Sequence, residues 1–249
     1  RKRWLRGTVE MGRRALNPVK GPYGFVVPAA QRDPAAVMEL IWVLRMGDVD
    51  VDKAVEPFTA DGVEYPAGSY FIRYAQPYGR FAKTLLERQV YPDLRESPDM
   101  PPKVPYDVTG HTLSLQLGVE VVEIQGGFDA ALEIVDIPEL EPGYISGEGE
   151  YYVLDPTPNY AAKAINRLLD EGYTVYRAIF ETEIDDEIIS PGAFVIEAKP
   201  GIGKLLDELA DSLGLGFIGI EEPSDEVFEI VKPKIGVYRP WLPLADEGW

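Results

Sequence analysis

The sequence predicts an α/β fold made of two copies of a βαβ-type module, each with a mainly parallel sheet in Rossmann/flavodoxin-like layers. Three observations predict it. Residues 33–86 recur 124 positions later with no net insertion or deletion, and ten of the 54 positions are identical: Pro34/Pro158, Ile41/Ile165, Leu44/Leu168, Val51/Val175, Ala54/Ala178, Asp61/Asp185, Gly68/Gly192, Ile72/Ile196, Gly79/Gly203 and Leu85/Leu209. Similar pairs extend the match, among them Asp33/Thr157, Tyr70/Phe194, Phe71/Val195 and Phe81/Leu205. Short apolar runs alternate with stretches of helical periodicity, and strand–helix–strand order implies right-handed crossovers between parallel strands.

Module one is expected over residues 21–137. Phe25-Val26-Val27 reads as a buried strand, and Asp33-Pro34 as an N-cap followed by proline at the first helical position. Val37, Leu40, Ile41 and Leu44 follow at helical spacing, with Gly47 ending the helix. Val49 and Val51 alternate with Asp48, Asp50 and Asp52 as in a strand with one wet face. Asp61-Gly62 marks a turn, Tyr70-Phe71-Ile72 a strand, and residues 77–87 a helix presenting Phe81, Leu85 and Leu86 to the core. Residues 89–118 hold Pro92, Pro98, Pro101, Pro102 and Pro105, lack a counterpart, and read as an insertion.

Residues 138–150, rich in Pro, Gly and Glu, read as a linker to module two at 151–233. There Tyr152-Val153-Leu154 is the strand, and Thr157-Pro158 opens a helix with Ala161, Ala164, Ile165, Leu168 and Leu169 inward. Lys163, Arg167, Asp170 and Glu171 fall on its wet side. A strand at 174–179, a turn near Asp185-Asp186, the run Phe194-Val195-Ile196, a helix with Leu205, Leu206, Leu209 and Leu213, and the strand Phe217–Ile220 complete the module. Ile235–Tyr238 reads as another strand and Ala245–Trp249 as a helix start, so residues 234–249 are expected to begin a further α/β unit. The chain opens on Arg1, and the expectation is a piece of a longer protein.

Composition narrows the function. Without cysteine there is no disulfide, thiolate metal site or thiol nucleophile. The net charge of −18 argues against nucleic acid as a partner. No apolar run approaches the roughly 20 residues of a membrane span. Residues 1–20 differ from the rest: seven bases against Glu10 leave −24 on the remainder, and Trp4, Leu5, Met11, Ala15 and Leu16 share one helical face. They read as a basic helical arm.

Reactive motifs fail one by one. His111 is the single histidine; with Asp107 four residues earlier it can offer at most part of a zinc site, and a structural histidine is the favoured reading. No GxSxG elbow exists to expose a serine to it. Asp48–Asp52 imitates a calcium loop, but Lys53 and Thr59 stand where glycine and glutamate are required. Gly214–Gly219 spells GxGxxG but follows a helix and opens a strand, the reverse of a dinucleotide site. Gly203-Lys204 lacks the rest of a phosphate loop. With a parallel sheet, ligands would bind at carboxyl strand ends, where Gln31, Arg32 and Asp33 line a polar crevice. A crevice between the copies using Gln31, Arg32, Arg80 or His111, for a peptide or sugar, is the alternative.

Gly21-Pro22-Tyr23, Gln31–Pro34, Tyr65–Tyr70, Ala75–Lys83, Tyr91–Leu94, Pro101-Pro102-Lys103, Pro105–Leu113 and Asp246–Trp249 together resemble a bacterial and archaeal branch of the zinc carboxypeptidase (carboxypeptidase A-like) metallopeptidases. The resemblance is dense over residues 21–120 and more generic beyond. It implies a peptidase domain upstream, an amidotransferase-like domain downstream, and a secreted or periplasmic parent that hydrolyses peptides with zinc-activated water. The family's His-x-x-Glu motif and distant histidine cannot be placed on a chain with one histidine. The resemblance therefore implies a non-catalytic scaffold, docking or substrate-selecting region, with no cofactor of its own and the zinc in the upstream domain.

Overall fold

The structure, a computed structural model, describes residues 1–90, 92–103, 112–136, 139–179, 181–184, 187–222, 227–238 and 241. Two compact units divide the chain, Arg1–Pro142 with Thr157–Asn159, and Gly143–Pro156 with Tyr160–Trp249.

The first copy runs α1 (Lys2–Leu16), β1 (Gly24–Val27), α2 (Pro34–Met46), β2 (Asp52–Ala54), β3 (Phe58–Ala60), β4 (Val63–Tyr65), β5 (Tyr70–Arg73), α3 (Gly79–Leu86), α4 (Leu113–Leu117), β6 (Val122–Ile124) and β7 (Leu132–Ile134). Asp33 Oδ1 accepts from the Ala36 N–H at 3.2 Å, and Pro34 occupies a position that needs no donor; the start of α2 is fixed by both. Five strands form one sheet in the order β6-β1-β5-β2-β7, and every neighbouring pair is antiparallel. A separate hairpin, β3 with β4, turns at Asp61 and Gly62, both with positive φ.

The second copy runs β8 (Tyr144–Ser146), β9 (Tyr151–Leu154), α5 (Asn159–Asp170), β10 (Val175–Ala178), β11 (Thr182–Ile184), β12 (Glu187–Ile189), β13 (Phe194–Glu197), α6 (Ile202–Leu213), β14 (Gly216–Ile220) and β15 (Val227–Glu229). Its sheet order is β15-β10-β13-β9-β14-β8. Only β8 on β14 is parallel, and β8 lies inside the stretch read as a linker.

The pairing carries the duplication. Tyr176 faces Val195 and Arg177 faces Phe194, as Asp52 faces Phe71 and Lys53 faces Tyr70, an offset of 124 on both strands. Ile218 faces Val153 as Val122 faces Val26, and Phe228 faces Arg177 as Glu133 faces Lys53. Asp48, in the left-handed region, occupies the place of Gly172. The insertion has a structural location too. Gly118 and Gly214 are both left-handed caps, closing α4 and α6 with bonds to Ser114 O and Ala210 O. The offset drops there from 124 to 96, so one continuous helix in the second copy is split in the first into α3 and α4 by 28 extra residues.

The expected mainly parallel Rossmann/flavodoxin-like sheet is wrong. β1 and β2 do point the same way across the α2 crossover, but β5 lies between them and runs opposite to both. This is the split βαβ arrangement, and β1-α2-β2-β5-α3/α4-β6 has the β-α-β-β-α-β order of ferredoxin-like folds. The sequence misleads because its strands are apolar on both faces, the usual mark of parallel sheets. In copy one Phe25, Val27, Tyr70 and Ile72 pack under the helices with Leu40, Ile41, Leu44 and Leu86. Val26, Phe71 and Ile124 point the other way and are covered by Phe58 and Tyr65 of the β3–β4 hairpin and by Phe128. The second copy repeats this, with Leu154, Ile196 and Phe217 on the helix side and Val153, Val195 and Ile220 opposite.

Smaller differences follow from packing. The strand expected at Asp48–Asp52 begins only at Asp52, although Val49 and Val51 are buried as the alternation requires. Phe81, expected in the core, is 45 % exposed. Ile235–Tyr238, expected as a strand, joins no ladder. Asp185-Asp186 and Ala245–Trp249 lie outside the described residues.

Two matched glycines test the packing. A Cβ on Gly79 would collide with the Tyr74 carbonyl, whereas one on Gly203 meets open space. Gly79→Ala is expected to lower stability by about 1–3 kcal/mol through overpacking. Gly203→Ala is expected to leave it unchanged or raise it by up to about 1 kcal/mol through helix propensity. Denaturant midpoints of the two variants check the contrast, and equal losses would contradict it.

Candidate functional site

Gln31, Arg32 and Asp33 share the loop after β1. Gln31 is spent on the backbone: Nε2 donates to Pro28 O at 3.0 Å and Glu120 O at 3.1 Å, while Oε1 accepts from the Glu120 N–H at 2.9 Å. It clasps this loop to the segment entering β6. Asp33 is buried as the cap of α2, and Arg32 is exposed. Arg80 is exposed on α3, which follows the far end of β5. Gly24 faces Arg73 and Val27 faces Tyr70, so Arg80 and Gln31 lie toward opposite ends of the sheet. The crevice at carboxyl strand ends was reasoned from a parallel sheet, whereas antiparallel neighbours place those ends alternately at either edge. Asp107 and His111 lie outside the described residues.

Other polar side chains do similar structural duty. Gln76 is buried; its Oε1 accepts from the Asp50 N–H at 2.7 Å and its Nε2 donates to Asp50 O at 3.0 Å and Arg73 O at 2.7 Å. Asp61 accepts from the Gln125 and Gly126 N–H groups at 2.6 and 2.9 Å, tying the hairpin turn to the chain beyond β6. Ser69 Oγ donates to Pro66 O and accepts from the Ala29 N–H. The turn signal marks Asp61, but no spacing rule shows the distant backbone partners: Asp50 for Gln76, Gln125 and Gly126 for Asp61, and Ala29 for Ser69.

One charged group sits on the hairpin side of the first sheet. Arg73 donates to the Tyr23 hydroxyl at 3.2 Å and lies over the Tyr23 and Phe71 rings. Asp52, opposite Phe71, has its pKa raised, chiefly by burial; the Arg73 charge opposes the shift and Asp50 adds to it. The group is an electrostatic compromise within the packed face.

A groove of about 410 Å³ opens between α5 and α6, with Leu209 and Leu213 among Lys163, Asn166, Arg167, Asp170, Glu208 and Ser212. Two of its charges are paired, Arg167 with Glu171 at 3.1 Å and Asp170 with Lys232, and the Ser212 hydroxyl donates to the Glu208 backbone carbonyl. At the matching positions of copy one stand Glu39, Trp42, Val43 and Met46 on α2, then Thr84, Leu85, Gln116 and Leu117. Trp42 is 53 % and Met46 64 % exposed. The same helix face is thus polar in one copy and apolar in the other. The sequence does carry a signal for it, as α2 is apolar nearly all round while α5 is amphipathic.

Among the described residues no three His, Asp or Glu side chains are grouped to hold a metal, and no helix is long and apolar enough to cross a membrane. No family model matches the sequence, and no curated protein or solved structure matches it.

Asp52 gives a pH test. Its folded pKa lies above the ordinary value of 3.8, so in that window the folded state binds more protons than the unfolded state and stability falls as pH rises. Asp52→Asn is expected to be more stable than the parent at neutral pH, with the gap narrowing as pH falls toward 3.8 and closed below it. Urea titrations at neutral pH and at about pH 3.5 check this; a variant less stable at neutral pH would show that the Arg73 attraction wins.

Proposed function

We propose that this chain is a non-catalytic scaffold and docking region of a zinc carboxypeptidase-like metallopeptidase, placed between a peptidase domain and an amidotransferase-like domain. The observation that carries the reading is the segment after β15. Ile235, Val237, Tyr238 and Trp241 are 86–96 % exposed, and among the described residues 235–238 join no ladder. A run of exposed apolar side chains of this kind suits burial against a partner surface. α1 supports the same reading from the other side. Trp4, Leu5, Met11 and Leu16 are exposed along one face, and Lys2, Arg3, Arg6, Arg13 and Arg14 occupy the rest.

The polar side chains support it as well, since Gln31, Gln76, Asp61 and Ser69 direct hydrogen bonds to backbone groups. The zinc of the resembled family does not fit this chain: two histidine ligands are required and the sequence has one histidine. Peptide hydrolysis by zinc-activated water belongs, in this reading, to the upstream domain.

Two measurements test the proposal. With added zinc, the 249-residue chain is expected to give no peptide or ester turnover above buffer. Turnover abolished by His111→Ala would overturn the non-catalytic assignment. Amides of 235–238 are expected to exchange at near-unfolded rates in this chain and to slow by about 100-fold or more once downstream sequence is attached. Unchanged exchange would remove the docking role.

A further inference from the structure

We infer that the outer edge of β6 is a peptide-binding site, which takes an extended segment of a separate polypeptide as an added, parallel strand. The second copy of the fold shows the occupied form of this edge. There β14, the match of β6, has β9 on one side and β8 on the other, with β8 parallel and Phe217 facing Ile145. The Tyr144 N–H donates to Leu215 O at 3.2 Å, the Gly143 N–H donates to Ala210 O on α6 at 2.9 Å, and Ile145 packs on the helix-side core. Gly143 and Gly149 bracket the strand so closely that a Cβ on either would strike the backbone of Leu215 or Ile220.

In copy one β6 ends its sheet, and among the described residues no strand lies outside it. The lead-in to β9 forms β8, but the lead-in to β1 goes elsewhere: Gly21, at positive φ, packs against the Tyr74 ring at the end of β5. The hydrogen-bonding side of β6 is fixed as well. Glu120 bonds Gln31 through both N–H and C=O, and Ile124 O accepts from the Tyr23 N–H at 2.7 Å, so these residues face β1. The alternate residues, Val121 and Glu123, therefore turn their backbone groups outward. Burial follows the presence of the added strand. Leu213 and Phe217 are buried in the second copy, whereas their matches in copy one, Leu117 and Val121, are only half-buried.

Strand addition of this kind draws affinity from main-chain hydrogen bonds and selectivity from alternate side chains. A side chain in the place of Ile145 enters beside Leu117 and Val121, so the site selects an apolar residue at the centre of the segment. Charge argues against a second copy of this chain as the occupant. Glu120 and Glu123 are exposed on the edge, and pairing β6 with another β6 sets the acids of two copies together. Gln125 Nε2 donates to Glu123 Oε1 at 2.7 Å, but a neutral amide leaves the carboxylate's charge in place. A free peptide carries no such conflict, and one with lysine or arginine near its apolar residue complements both acids. The inference does not depend on which domains flank the chain.

A capped synthetic peptide carrying the sequence Gly143–Gly147 between two lysines, titrated into the 249-residue chain, tests it. Saturable binding with a Kd below about 1 mM is expected. Hydrogen exchange at the Val121 and Glu123 amides is expected to be fast without peptide and to slow about tenfold or more with it, while β14 is unchanged. The same peptide N-methylated at its tyrosine, where the N–H bonds Leu215 O in the second copy, keeps its side chains and loses a ladder donor. It is expected to bind about tenfold or more weakly. Glu123→Pro, which removes an outward N–H, is expected to weaken binding likewise, with an unfolding curve to show that the fold persists; the methylated peptide needs no variant. Absence of saturable binding, equal affinity for the two peptides, or amides of Val121 and Glu123 already protected without peptide would each overturn the inference.

Discussion

The central strand of each sheet, β5 in one copy and β13 in the other, is the constraint on which the rest depends. It runs opposite to both neighbours, and its side chains are buried on both faces. Because it fills the gap between β1 and β2, the α2 crossover must step over one strand, which sets both helices on one face. The opposite face then needs its own cover, and in copy one the β3–β4 hairpin provides it through Phe58 and Tyr65. The entry to the strand is pinned the same way in both copies, by Gly68 N–H to Ala54 O and Gly192 N–H to Ala178 O. Alternating strand directions also scatter the loops between the two ends of the sheet. Separation of Gln31 from Arg80 follows directly.

With the core held in common, the two copies have diverged on their surfaces. Twenty-eight extra residues split one helix into α3 and α4 without disturbing the capping glycine or the strand after it. Such an insertion is tolerated because lengthening a surface connection adds little to loop-closure entropy. The outer helix face changed character as well, from Asn166 and Asp170 to Trp42 and Met46. Stability asks little of these positions, so their chemistry is free to serve contacts.

How much was legible in the sequence varied with the range of the interaction that decides each feature. The start of α2 was legible, since a cap and a proline act within one turn. The duplication was legible because equal offsets preserve register. Parallel sheet direction was misread: double-sided apolar strands report that both faces are covered, and helices or a hairpin can do the covering. Phe81 was misplaced because helical periodicity does not tell a core from a second apolar face. Gln31 looked like a candidate ligand group, yet its partners are the backbone of Pro28 and Glu120, the latter 89 residues away.

The sequence by itself determined the repeated α/β units, their helix starts and buried strand runs, and the lack of thiol chemistry, all of which rest on local periodicity and composition. Only the tertiary structure decided that β5 inserts between β1 and β2, that the polar loop side chains serve as clasps, and that Trp42 and Met46 of α2 are exposed. The physical reason is that strand order and burial are set by pairings between distant segments, whose energies leave no mark on the spacing of nearby residues.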